Sequence, residues 1–218
     1  MKRLFIIYFF IVFYVFSYGQ VDSLKLVPYD FSFFFNEGIY LDFRSFKNNS
    51  PLKLESVIYP QSDDDLFFDK MDTAKIIIYI DKYGMSVNLQ KEKVWGYSKN
   101  GKPYIQWADK FNLIPFVGSV CHFITTVTVN YTTYRDPFYD PYYYPSSRTY
   151  QTEELRQFLI DTETGNVMDY NIPNAEVILK REPELYNEFS KLRKRKKNKQ
   201  LFYYIKRYNE KRVYLIPE

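Results

Sequence analysis

The spacing of apolar residues changes period near residue 172, and this change limits the fold more than any other feature of the chain. From Phe67 onward, short runs rich in β-branched and aromatic residues are separated by turn signals, as in strands. "KIIIYI" (Lys75–Ile80) is apolar on both faces, the pattern of a central strand. "KVWGYS" and "KPYIQW" flank Lys99-Asn100-Gly101, and Asn-Gly marks a tight hairpin because both residues accept positive φ. "FNLIPFV" carries Pro115, which predicts an edge strand or a bulge, since proline cannot donate to a ladder. "SVCHFITTVTVNY" predicts a strand whose more apolar face holds Cys121, Phe123, Val127 and Val129, with His122 on the other. "LRQFLID" and "NVMDY" surround Thr162–Gly165 as another hairpin.

Beyond residue 172 the apolar positions recur as on helices. Leu185, Phe189 and Leu192 fall at i, i+4 and i+7 behind Pro183, a residue suited to a helix start. Leu201, Ile205 and Tyr208 follow a similar spacing, and "IPNAEVILKR" offers Asn174 as a cap with Val177 and Ile178 on one side. The chain is therefore predicted to be α+β. An antiparallel β meander or partly closed barrel of about seven strands precedes two or three C-terminal helices.

The N-terminus points to a compartment. Met1-Lys2-Arg3, the apolar run "LFIIYFFIVFYVF" and "SYGQ" have the layout of a secretory signal. The run is shorter than the roughly 20 residues of a membrane span. Residues 1–19 are read as a signal peptide, with Ser17 and Gly19 at its cleavage site, and the protein as exported to the periplasm or cell surface. Residues 20–36 form an extended lead-in. Residues 37–218 form a single α+β domain, mainly β over 37–172 and helical over 173–218.

Composition narrows the chemistry. One Cys and one His are present, so neither an intramolecular disulfide nor a zinc site of ordinary composition can be built. Cys121 and His122 are adjacent on a predicted strand and point to opposite faces, which disfavours a Cys-His pair. No catalytic residue, metal ligand or cofactor is assigned. "SDDD" (Ser62–Asp65) lacks the alternating ligands of a calcium loop and reads as a solvated turn. The alternative activity is a carboxylate-based glycan hydrolase, which needs neither His nor Cys, although no spacing selects a pair.

Two segments stand out as surfaces. "KLRKRKKNK" (Lys191–Lys199) holds seven of the 30 basic side chains; without these and without Lys2 and Arg3, the remaining chain is near −5. Export argues against nucleic acid as its partner. Lys194, Arg195, Lys196 and Lys197 are candidates for attracting anionic lipid head groups or glycans, the bland reading being a solvated turn between two helices. Membrane association would come only through such contact or an uncleaved signal. "RDPFYDPYYYPSS" (Arg135–Ser147) lies within a 20-residue stretch, Tyr131–Tyr150, read as a loop. Three prolines stiffen it, and Tyr139, Tyr142, Tyr143 and Tyr144 are candidates for binding an envelope glycan or protein partner. The competing reading makes the same rings a lid over an open sheet edge. Oligomeric state is left open.

"GIYLDFRSFKNNSP" resembles the Gly-Ile-Tyr-x-x-Phe-x-x-Phe-x-x-Asn-x-Pro segment of small exported proteins of Bacteroidota, here Gly38, Ile39, Tyr40, Phe43, Phe46, Asn49 and Pro51. "VWGYSKNGKPYIQ" (Val94–Gln106) and "YYIKRYNEK" are similar to later parts of that group. The resemblance implies an origin and a compartment rather than a reaction. The residues themselves predict a structural role. Asp42 caps a short helix, Gly38 permits an unusual backbone angle, and the two Phe side chains plug a sheet end.

Overall fold

The computed structural model describes residues 25–60, 66–134 and 147–218. The expected signal peptide and the Ser62–Asp65 turn lie outside the described residues. Twelve strands are described: β1 Leu26–Pro28, β2 Gly38–Tyr40, β3 Val57–Tyr59, β4 Ile76–Ile80, β5 Ser86–Gln90, β6 Gly96–Lys99, β7 Lys102–Trp107, β8 Lys110–Leu113, β9 Val120–Tyr134, β10 Ser147–Asp161, β11 Val167–Asp169 and β12 Leu215–Pro217. Five α-helices accompany them: α1 Phe43–Lys47, α2 Phe67–Thr73, α3 Ile172–Leu179, α4 Pro183–Ser190 and α5 Lys194–Lys211.

The α+β class is as expected, but the seven-strand meander or barrel is not. The strands form four antiparallel sheets, in the orders β1-β12, β11-β10-β9, β2-β6-β7-β8 and β3-β4-β5, with no closed barrel among the described residues. Apart from β9 and β10, each strand has six residues or fewer. Helices α1 and α2 and 3-10 turns at Leu54–Ser56 and Lys91–Lys93 interrupt the ladders before one sheet can curl shut.

The sheets stack because alternate residues point to opposite faces. In β2, Ile39 enters a core with α2 and the β3-β4-β5 sheet, while Tyr40 enters the next core. In β7, Tyr104 packs on the former core and Ile105 is buried in the latter. At the base of β9 and β10, Cys121, Phe123, Phe158 and Ile160 complete that second core. Their neighbours Val120 and Leu159 face the helices and join Ile178, Leu185, Phe189, Leu201 and Ile205. Three cores thus lie between four layers: β3-β4-β5 with α2, then β2-β6-β7-β8, then β9–β11, then α3–α5.

Several local expectations hold. Asn100 and Gly101 take φ of 52° and 71° in the β6–β7 turn, and the lead-in is extended at β1, paired with β12. Pro183 opens α4, and β8, just before Pro115, is an edge strand. Others are corrected. Strand β4 is central in its sheet, but only one face is covered, so Ile76 and Ile80 are exposed while Ile77 is buried. Asn171 rather than Asn174 caps α3, its side chain accepting from the Asn174 amide at 2.9 Å. Val177 is exposed because it lies one position round the helix from buried Ile178.

The 38–51 segment is a structural joint. Gly38 has φ of 144°, and a Cβ there would stand 2.3 Å from the Leu52 carbonyl oxygen. Asp42 accepts from the Ser45 amide at 2.7 Å, fixing α1 so that Phe46 stacks on Trp95 with ring centroids 4.2 Å apart. Asn49, buried and at φ 47°, accepts from the Asn36 amide (2.9 Å) and the Tyr40 hydroxyl (3.2 Å) and donates to the Pro217 carbonyl (3.3 Å). One side chain thereby ties the lead-in, β2 and the C-terminal strand. Asn49→Gly keeps the left-handed backbone and deletes these bonds. It is expected to cost about 2–3 kcal/mol, read as a lower urea midpoint with unchanged m.

Candidate functional site

Strands β9 and β10 are the two longest, with 15 residues each paired one-to-one without a register shift. Thr, Tyr, Gln and Asn fill their outer halves, so Tyr131–Tyr134 and Ser147–Tyr150, expected as loop, are strand instead. Cross-strand pairing on the two-stranded ladder outweighs the polarity of the sequence there. Among the described residues, Val127 is the last of the ribbon that packs on a core. From it to Tyr134 the ribbon runs a further ~23 Å at ~3.3 Å per residue.

The outer ribbon is held by cross-strand pairs. Tyr131 and Tyr150 stack with centroids 5.7 Å apart, and the Thr132 and Thr149 hydroxyls meet at 3.1 Å. The Tyr131 hydroxyl donates to Glu154, which also pairs with Arg156 at 2.9 Å. The hydrogen bond to Glu154 raises the Tyr131 pKa and lowers that of Glu154. Residues 135–146 connect the two strand ends. Tyr139, Tyr142, Tyr143 and Tyr144 lie in that connection, outside the described residues.

The basic run is divided by the structure. It is not a turn between helices: Lys191–Arg193 make the turn, and Lys194–Lys197 form the first turn of α5. Lys197 is half-buried, bonded to Glu176 at 2.6 Å and placed 5.2 Å from the Phe189 ring centroid, so it fastens α5 to α3 and α4. Lys194, Arg195 and Lys196 are exposed. Cations at a helix N-terminus oppose the dipole, so this placement is not what helix stability favours.

A third feature is absent from the sequence reading. A polar groove of about 530 Å³ is lined in part by Lys47, Glu163, Arg181, Glu182, Tyr208 and Arg212. Arg181 of this lining is held by Asp161, which is buried and takes both guanidinium nitrogens, at 2.9 and 2.7 Å, plus the Thr164 hydroxyl at 2.8 Å. Arg181 also pairs with Glu163 at 3.1 Å, and Arg212 with Glu182 at 2.7 Å. Burial raises the Asp161 carboxyl, but Arg181, Thr164 and the Glu163 amide together hold it below the usual range. A general acid needs the opposite shift. Asp161 and Arg181 are twenty residues apart on different elements, so no local motif could reveal the pair.

His122 and Cys121 occupy opposite faces of β9. His122 lies against Tyr170 and Phe202, with Nε2 2.9 Å from the Gln157 side-chain oxygen, and burial lowers its pKa. Cys121 is fully buried, and burial pushes its thiol up to about 12. Among the described residues, no three His, Cys, Asp or Glu side chains gather as a metal would require.

Arg181→Leu leaves the Asp161 carboxylate buried without its cation. The expected cost is about 3 kcal/mol in denaturant unfolding at neutral pH. The folded carboxyl titrates below its ordinary 3.8, so its contribution is full above that value and fades as pH falls below it. The variant should therefore lose less stability than the parent on acidification through this range. No protein-family model matches the chain, and neither a curated protein nor a solved structure is significantly similar to it.

Proposed function

We propose that this is an exported cell-envelope protein, a non-catalytic binding or structural module that engages a glycan or protein partner through the end of the β9–β10 ribbon. The carrying observation is the ribbon itself. Two regular 15-residue strands run from between two cores to the ends of residues 135–146, and their outer side chains are largely exposed. A folded chain gains little core from such an extension. Stiff, Tyr-rich connections suit contact, since rings supply area at low entropy cost and hydroxyls supply hydrogen bonds. The leader-like residues 1–19 support export. Exposed Lys194, Arg195 and Lys196 support a weak, salt-sensitive attraction to anionic surfaces.

The test shortens the ribbon end without touching the cores. Thr133 and Arg148 are the outermost pair that exchanges backbone bonds across the ribbon, so replacing 134–147 by Asn-Gly closes the hairpin with a two-residue turn. Both proteins should melt alike. Immobilised parent protein is expected to retain an envelope component that the shortened variant loses. Equal retention by both, or retention by neither, contradicts the reading.

A further inference from the structure

The free edge of β9 is the longest uncharged sheet edge among the described residues; edge strand β5 is also uncharged but has only five residues. Val120 presents its N–H and C=O away from β10, where the Asn209 side-chain amide accepts and donates at 2.8 Å, as a neighbouring strand would. The His122 amide also points outward, to the Phe116 carbonyl at 2.9 Å. The one-to-one register with β10 keeps this parity to the end of the strand. Ile124, Thr126, Thr128, Asn130, Thr132 and Tyr134 therefore turn both backbone groups to the outer edge. Among the described residues, nothing pairs them except a long 3.5 Å contact from the Thr125 hydroxyl to the Thr126 carbonyl.

Exposed edges are ordinarily blunted by charge, proline, bulges or shortness. Strand β3 has three residues and a register shift; β2 has three and is bridged to Leu52; β8 has four and begins with Lys110. The outer edge of β10 is long, but that strand carries Arg148, Glu153, Glu154 and Arg156. Ile124–Tyr134 of β9 has eleven residues with no charge, proline, glycine or bulge. The outer ribbon is also only two strands wide, an arrangement of marginal stability in water.

We infer that this edge pairs with the same edge of a second copy, antiparallel about a two-fold axis at Val129. A two-fold brings each residue to a symmetry-related one, so charges near the axis would meet their own sign; an uncharged strand meets no such penalty. This centre pairs all six outward residues: Ile124 with Tyr134, Thr126 with Thr132, and Thr128 with Asn130 of the second copy. On the opposite face it sets Val127 against the second copy's Tyr131. Aromatic–β-branched and Thr–Thr pairs are among those that stabilise sheets. The result is a four-stranded sheet, β10-β9-β9-β10. The inference goes beyond the binding reading and does not depend on residues 135–146.

Light scattering on the purified chain across a concentration series tests it. The expected mass is twice that of the 26.5 kDa chain. Thr128→Pro removes an N–H that does not serve the β10 ladder, so it should give a monomer with unchanged melting. Val129→Lys and Val129→Glu should each be monomeric alone, and an equal mixture should recover the dimer. A parent that stays monomeric throughout overturns the inference, as does a dimer that survives both Val129→Lys and Thr128→Pro. If Thr128→Pro does not fold, the lysine–glutamate mixture decides, and its failure to dimerise overturns the two-fold at Val129. A monomeric parent whose Asn-Gly-shortened form dimerises would assign the edge to the chain's own 135–146 segment instead.

Discussion

The pleat at the base of β9 and β10 is the constraint on which the rest depends. Successive residues must point to opposite faces, so Phe123 and Phe158 close the sheet-side core while Val120 and Leu159 close the helical one. Each fully buried large side chain contributes roughly 1.5–3 kcal/mol, and here both contributions come from one strand pair. A one-residue slip would exchange the faces and place His122 and Asp161 where the Phe and Ile side chains now lie. The register is pinned at the base by Asn209 on Val120 and by Phe116 on His122. Helix α5 supplies that Asn209, so the C-terminal helix and the ribbon position each other.

Polar side chains in the interior act as joints between layers. Asn49 links three segments, and Asp161 ties the end of β10 to Arg181 beyond α3. Lys91 is buried at the start of its 3-10 turn and donates to the carbonyls of Asp72 and Asp109, at 2.7 and 3.0 Å. Buried polar groups are tolerated when paired, and misplacing one leaves several partners unsatisfied. Such joints specify how the layers meet, which apolar contact alone leaves loose. The Tyr214 hydroxyl is the exception among the described residues: it is buried without a partner, and burial raises its pKa.

Local chemistry was legible where one residue decides a conformation. Asn100-Gly101 marked its turn, Asp42 its helix and Pro183 the start of α4, because each signal acts within a few residues. The helical stripe Leu201, Ile205 and Tyr208 was legible because one face meets one core. Strand ends were harder. Tyr131–Tyr134 and Ser147–Tyr150 carry no apolar alternation, since neither face of the outer ribbon meets a core, and only cross-strand pairing makes them strands. The uncovered face of β4, the salt bridge of Lys197 and the Asp161–Arg181 pair depend on contacts between distant segments. Of the candidate site, the tyrosine-rich connection was visible as composition and β9 as a β-branched run up to Tyr131, whereas the outer half of β10, and so the length of the ribbon, was not.

If the ribbon base belongs to both cores, the two sides of the molecule must unfold together. Trp95 and Trp107, the two tryptophans of the chain, pack on the sheet-side core, whereas α3–α5 surround the other. Tryptophan fluorescence and helical circular dichroism therefore report opposite sides of β9 and β10. The account predicts one coincident urea transition by both probes, and a Leu159→Ala substitution on the helical face should shift both midpoints together by the same amount. Separate transitions, or a Leu159→Ala shift confined to the helical signal, would contradict it.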